Sequence, residues 1–476
     1  MYKILILTGV LFLFLGCIRQ EDKMQPNIIL LMTDDQGWGQ TGYYDHPVLK
    51  TPNLDEMAAN GIRFNRFYAG APVCSPTRAS VLTGRTNDRT GVYTHGYALR
   101  QQEKTLAEAL QQQGYATAHF GKWHLNGLVG PGVPILKDDP YGPGKFGFDE
   151  WISVTNFFDI NPLMSISGDF YEFIGTSSEI IVDLALQFIR RTVEMDKPFF
   201  TVIWDGSPHD PFRALDKDKV AFEALDENSQ SHYGELVAFD RSVGILRAKL
   251  NDLGIAGNTI IWYCSDNGGL PRITPTTVGN LRGFKGSLWE GGIRVPAIIE
   301  WPAKVKPAVT DFPASTMDIF PTIAEIVGIP ISASIQPQDG QSVLPVMLGN
   351  NPKREKPIPF RFNKGGALIN YSFKLYAEDR HSNDFKLFNL VEDPQEKVNV
   401  MEEFPEIFDE MKAQFHAFDQ SVENSIIGID YPEGVVTDTS RRQGWMTDPR
   451  YESYLEDWLN REEYRNRILR ERGWER

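Results

Sequence analysis

The sequence predicts an α/β fold: a large, mainly parallel mixed sheet sandwiched by helices, followed by a smaller α+β C-terminal domain. Three observations predict it. Continuous apolar runs, "NIILLMT", "KPFFTVIW", "NTIIWYC" and "RVPAIIEWP", recur up to about residue 350, and uninterrupted runs of this length suit strands covered on both faces. Helical patterns such as "QEKTLAEALQQQG" and "SHYGELVAFDRSVGILRAKLNDLG" lie between them, each stopped by a glycine. Past residue 350 the pattern turns hairpin-like in "GGALINYSFKLYAED" and "NDFKLFNLVEDPQEKVNV", then helical in "EEFPEIFDEMKAQFHAF". Alternating strand and helix builds a mainly parallel sheet. A chain of 476 residues, 41% hydrophobic, can bury the core of one large and one small domain.

Residues 1–16, "MYKILILTGVLFLFLG", carry one lysine and an apolar run shorter than the ~20 residues that span a bilayer. The run ends at Gly16-Cys17. It reads as an export signal and resembles a bacterial lipoprotein signal, in which Cys17 is lipidated and anchors the exported protein to the cell membrane, on the outer-membrane or periplasmic side. The main domain is expected over residues 25–350 and the smaller one over 351–476. The end of the latter, "YLEDWLNREEYRNRILRERGW", reads as a helix lying on the surface. The Pro- and Gly-rich stretch from Gly127 to Gly144 reads as a long loop over a binding cleft.

Chemistry gathers where the apolar runs end, which in a parallel sheet is the ligand-binding edge. Asp34 and Asp35 end one run, and Asp266 and Asn267 end another. Either pair alone is compatible with a turn. Two such pairs at one edge would repel unless a cation lies between them, and an all-oxygen donor set selects a hard ion, Ca²⁺ or Mg²⁺. Lys122 and His124 in "GYATAHFGKWH", His209 in "GSPHDPF", and Arg282 and Lys285 in "LRGFKGSLWEGGIRVP" would ring that site with cations, as an oxyanion substrate requires. The net charge of −15 excludes nucleic acid as a partner but leaves room for a local basic pocket.

Cys74 is one of three cysteines. Cys264, inside a strand-like run, reads as a small core hydrophobe, so no disulfide framework organises the chain. In "APVCSPTRASVLTG", Ser75 suits a helix N-cap and Pro76 the first helical position. Cys74 then sits at a helix N-terminus, which favours an anion, with Arg78 one turn further in.

These residues carry a resemblance. "PVCSPTRASVLTG" resembles the Cys-x-Pro-x-Arg signature of the type I sulfatases, members of the alkaline phosphatase superfamily. "GYATAHFGKWH" is similar to the second signature of that family, with Phe120 at a position usually small or aliphatic. "TDDQG", "SPHDPF", "CSDNGG" and "FKGSLWEGGIRVP" match further blocks in order, so the resemblance runs from Pro26 to Asn399. It implies an alkaline phosphatase-like fold and a sulfuric ester hydrolase; export and anchoring then fit sulfated polysaccharides or oligosaccharides as its substrate. It also implies that a formylglycine-generating or sulfatase-maturing enzyme oxidises Cys74 to Cα-formylglycine (3-oxoalanine). By similarity, Asp34, Asp35, Asp266, Asn267 and the modified Cys74 bind one Ca²⁺, and Arg78 steadies the hydrated aldehyde. Lys122 and Lys285 hold sulfate oxygens, His124 is the base for sulfate release, and His209 protonates the leaving oxygen. Arg282, the aromatics from Trp151 to Phe158, and Arg361 in "PFRFNKGG" are expected at the substrate. Two other readings compete: a phosphodiesterase or phosphonate hydrolase of the same superfamily, and a non-catalytic glycan-binding surface lipoprotein. The first typically has His where this chain has Asn267.

Overall fold

The computed structural model describes residues 25–158, 160–439 and 441–474; Cys17 and the signal segment lie outside the described residues. A ten-stranded mixed sheet organises the large domain. Its strands, in chain order, are β1 (Asn27–Thr33), β2 (Ile62–Phe64), β3 (Ala116–Lys122), β4 (Glu150–Val154), β5 (Leu163–Ile166), β6 (Asp169–Glu172), β7 (Phe199–Trp204), β8 (Thr259–Ser265), β9 (Ala297–Glu300) and β10 (Ala308–Thr310). They lie side by side as β10-β2-β9-β8-β1-β7-β3-β4-β5-β6. The central strands β8-β1-β7-β3-β4 are all parallel. β9 runs antiparallel beside β8.

The four apolar runs became β1, β7, β8 and β9, and every residue of these strands is buried. Alternate side chains enter two cores. Ile28, Leu30 and Met32 face one layer, with Ala79, Val81 and Leu82 of helix α1 (Cys74–Thr83). Ile29 and Leu31 face the other, with Ile181, Leu186 and Ile189 of α2 (Ser177–Glu194) and Phe239, Val243 and Leu246 of α3 (Glu227–Asp252). Cys264 lies in the first core as a free thiol, and Cys74 is a second buried free cysteine.

The smaller unit is a four-stranded antiparallel sheet, β11 (Ile358–Phe362), β12 (Gly365–Asn370), β13 (Phe373–Ala377) and β14 (Phe385–Asn389), covered by α4 (Pro405–Ile426). The tail differs from the expected surface helix. It folds into two short helices, α5 (Leu455–Trp458) and α6 (Glu462–Arg472). Trp445, Tyr451, Leu455, Trp458, Tyr464 and Ile468 are buried against Leu128, Val133, Leu136 and Leu163 of the large domain. Its buried apolar residues are clustered and mostly aromatic, so docking removes large areas from water that a surface helix would leave exposed. Gln443–Gly444 pairs in parallel with Leu128–Val129, fastening the tail to the loop that begins at Gly127. Among the described residues no helix is long and apolar enough to cross a membrane.

Candidate active site

The shared C-terminal edge of the parallel strands collects the polar residues. β1 delivers Asp34 and Asp35, β8 delivers Asp266 and Asn267, β3 ends at Lys122 two residues before His124, and the loop after β7 carries His209. Asp35 and His124 hold left-handed backbone conformations, φ 63° and 54°, a strained state for non-glycine residues that the surrounding packing must enforce. Helix α1 starts two residues earlier than its sequence suggests. Val73 occupies the N-cap position without a side-chain bond, Cys74 is the first helical residue, and the Ser75 hydroxyl accepts from the Gly96 N–H at 2.8 Å. A distant loop therefore takes the hydroxyl that local propensity assigned to capping.

The carboxylates of Asp34, Asp35 and Asp266 and the Cys74 Sγ converge, with one ligand atom of each lying within 4.8 Å of all the others. All four residues are buried. Arg78 binds two of the acids, donating to Asp266 Oδ2 at 2.7 Å and to Asp34 Oδ2 at 3.3 Å, and reaches the Lys122 carbonyl at 2.9 Å. Its guanidinium lies 5.0 Å from the Trp204 ring centroid. Lys122 contacts Asp34, and Lys285 Nζ lies 2.6 Å from Asp35 Oδ1. Asn267 donates its amide to Asp35 Oδ1 at 2.8 Å, which leaves its own Oδ1 buried without a partner. The donors are oxygens plus one sulfur, and an unused amide oxygen sits beside three carboxylates. That set fits a hard divalent cation.

Electrostatics follow from this crowding. Burial raises Asp35 and Asp266 to about 6 against the pull of their cations, and the charge on Asp34 adds to the rise. Burial also acts to raise Asp34, but Lys122, His209, Arg78 and Lys285 outweigh it and hold that carboxyl well below the usual range. Burial and the Asp34 charge push the Cys74 thiol up, so it is not a thiolate at neutral pH. Burial, with Lys122 and Arg78, keeps His124 neutral, and neither of its ring nitrogens has a partner. Burial and the two lysines lower His209 to about 3.

Cys74 opens into a cavity of about 460 Å³ lined by His95, His124, Val129, Gly130, Pro131, Asn156, Phe157, His209, Lys285 and Arg467. The wall carries two fixed cations and three imidazoles, and no carboxylate, inside a protein of net charge −15. Phe157 stacks on His209, centroids 4.9 Å apart and planes at 8°.

Residues 26–329 match the sulfatase family model. The chain belongs to the sulfatase family. It is a sulfuric ester hydrolase, like its named relatives. It is 36% identical to the N-acetylgalactosamine-6-sulfatase of Sus scrofa over 384 residues, 72% of this chain and 69% of that one. It is 30% identical to the arylsulfatase A of Homo sapiens over 368 residues, 70% of each. The crystal structure of Ps i-CgsB in complex with k-i-k-neocarrahexaose shares the fold with TM-score 0.76 at 23% identity, over 90% of this chain and 97% of that one.

Against this sulfatase frame, the sequence-derived set is brought together except at its periphery. Asp34, Asp35, Cys74, Arg78, Lys122, His124, His209, Asp266, Asn267 and Lys285 form one constellation. Arg282 does not join it: its guanidinium stacks 3.5 Å from the Trp289 ring centroid and donates to the Glu396 carbonyl. Arg361 does not join it either. It is buried among Asp88, Asp419 and Glu423, at 3.0, 3.3 and 2.8 Å, where it ties α4 to the large domain. Trp151 belongs to the core, and of the aromatics from Trp151 to Phe158 only Phe157 lines the Cys74 cavity. His95 and Arg467 were not anticipated. No local motif marks either, because both reach the cavity by tertiary packing.

Proposed function

We propose that this sulfatase removes sulfate from sulfated oligosaccharides or polysaccharides using Cα-formylglycine at position 74 and one Ca²⁺. One observation carries the reading: the Cys74 side chain meets three buried carboxylates at the base of a cavity whose wall is cationic. The unmodified thiol is protonated there and makes a weak nucleophile. Formylglycine at position 74 would supply, as its hydrate, one hydroxyl as nucleophile toward sulfur and a second whose proton loss would release sulfate. Asp34, Asp35, Asp266, the free Oδ1 of Asn267 and the oxidised residue 74 would hold the Ca²⁺, which would supply the charge that favours a deprotonated hydroxyl.

The remaining residues divide the work. Arg78 fixes Asp34 and Asp266 in place. Lys285 and Lys122, now resting on Asp35 and Asp34, take the oxygens of the entering sulfate group. His124 is neutral and has both ring nitrogens free, so it can accept the proton of the second hydroxyl. His209 faces the cavity and gives its proton to the departing sugar oxygen. Its low pKa comes from burial and the neighbouring lysines. The negative charge of a bound ester opposes both lysines, so His209 gains its proton together with the substrate.

Maturation by a formylglycine-generating or sulfatase-maturing enzyme, and export with lipidation at Cys17 and membrane anchoring, complete the proposal. Peptide mass spectrometry of the "VCSPTR" peptide from the native host, paired with turnover of an aryl sulfate, tests it. Formylglycine with turnover supports the reading. An unmodified Cys74 in folded, exported protein overturns it in favour of glycan binding without catalysis.

A further inference from the structure

The cavity wall is not built by the large domain alone. Arg467 comes from α6, at the far end of the chain, and is the second fixed cation beside Lys285. Its position is secured on several sides. Tyr464 and Ile468, on the same face of the helix, are buried, and the Tyr464 hydroxyl donates to the Gly132 carbonyl at 2.7 Å. Glu462 pairs with Arg213 at 3.1 Å and Arg461 with Glu172 at 3.0 Å, joining the start of α6 to the large domain at two points. Gly130 adopts φ 124°, and a Cβ there would lie 2.5 Å from Arg467 Nη1 and 2.8 Å from the Trp445 ring. A side chain at residue 130 would press on the Trp445 ring and on Arg467 where the loop meets the tail.

Arg467 is 27% exposed, and its Nε is held by Glu471 at 2.7 Å. No other hydrogen bond or ion pair of its guanidinium occurs among the described residues. The reacting sulfate is already provided with Lys122 and Lys285. A further guanidinium with spare donors, on a wall free of carboxylates, points to a second anionic group.

We infer that Arg467 is a specificity-determining residue that binds a second anionic group of the glycan, a sulfate or a uronate carboxylate, while the first sulfate reacts at position 74. This rests on the sulfatase reading above. Docking of the tail then completes the substrate pocket, and the tail contributes selectivity without contributing to bond cleavage.

The test compares matured wild type, Arg467→Ala and Arg467→Lys. Each is assayed on 4-nitrophenyl sulfate, a hexose 6-sulfate, the same hexose carrying two sulfates, and a 6-sulfated amino sugar linked to a uronic acid. In parallel, Cys74→Ala protein with and without Arg467→Ala is titrated calorimetrically with the same sugars. In Arg467→Ala, kcat/KM for one of the doubly anionic sugars should fall about tenfold or more relative to the singly sulfated hexose, mainly through KM, with a matching loss of binding in the Cys74→Ala background. Arg467→Lys should recover part of it. Which doubly anionic sugar responds distinguishes sulfate from carboxylate. An equal loss on all substrates, or none on any, overturns the inference and leaves the sulfatase reading standing. A wild type that hydrolyses no sulfate ester overturns both.

Discussion

Two of the buried charge clusters among the described residues differ in what they leave open. At the sheet edge three carboxylates, Asp34, Asp35 and Asp266, face three cations, Arg78, Lys122 and Lys285. Between the two domains Glu290 and Glu396 face Lys374 at 3.2 and 2.7 Å, with Arg294 3.8 Å from Glu290 and the Tyr68 hydroxyl donating to it at 3.1 Å. The second cluster pairs its charges with one another, Glu396 Oε1 through its ion pair with Lys374 alone. The first retains an orphan amide oxygen on Asn267, two unpartnered nitrogens on His124 and a cavity above Cys74. Buried charge in itself is thus no sign of chemistry; unused donors and acceptors beside an opening are.

The sharpest way to break the comparison is Cys74→Ala. Aryl sulfate turnover should fall by at least about 10⁴-fold, with an unchanged circular dichroism spectrum, because the side chain is small and at the edge of the cavity. Stripping divalent metal with a chelator comes next. Activity should drop to background and return with Ca²⁺, while melting temperature falls and recovers in step; an enzyme indifferent to chelation would place the two clusters in one class. His209→Ala should cost about 10²- to 10⁴-fold in kcat on a sugar sulfate and much less on 4-nitrophenyl sulfate, whose leaving group needs no acid. Equal losses on both would remove His209 from the acid role.

The self-paired cluster should respond in stability alone. Lys374→Met leaves two carboxylates buried without their cation and should destabilise the fold by about 3–5 kcal/mol in chemical denaturation, with kcat/KM retained in the folded fraction. A smaller effect is expected with pH. Burial, reinforced by Glu290, raises Glu396 from 4.5 to about 7 against the pull of Lys374. A raised folded pKa means that its stabilising contribution is full below about pH 4.5 and is lost as pH rises through 7. Melting temperature should therefore decline more steeply between pH 5 and 8 in wild type than in Glu396→Gln. Parallel profiles would show that Glu396 ionises no differently when folded.

Most of the centre was legible because each part sits in a short local motif. "TDDQG", "VCSPTR", "FGKWH", "SPHDPF" and "CSDNGG" each end or follow a buried strand or open a helix, and parallel pairing then brings them to one edge. The periphery was not legible. Arg282 and Arg361 look like free loop and hairpin cations in the sequence, yet one is taken by Trp289 and the Glu396 carbonyl and the other by three acids. Ser75 reads as a cap and is claimed by Gly96 instead. Such partners lie far away in sequence, so no local pattern announces them.

By itself, then, the sequence determined the α/β sandwich, the strand-end acids, the Cys74 signature and the cations that meet them, because hydrophobic periodicity and short motifs act within a few residues. Only the tertiary structure decided which cations remain available, that the tail docks through Trp445, Trp458 and Tyr464, and that Arg467 enters the cavity wall. The physical reason is range. A strand or helix start is specified by its neighbours, whereas the partner of a long charged side chain is whichever opposite charge the finished packing places within its reach.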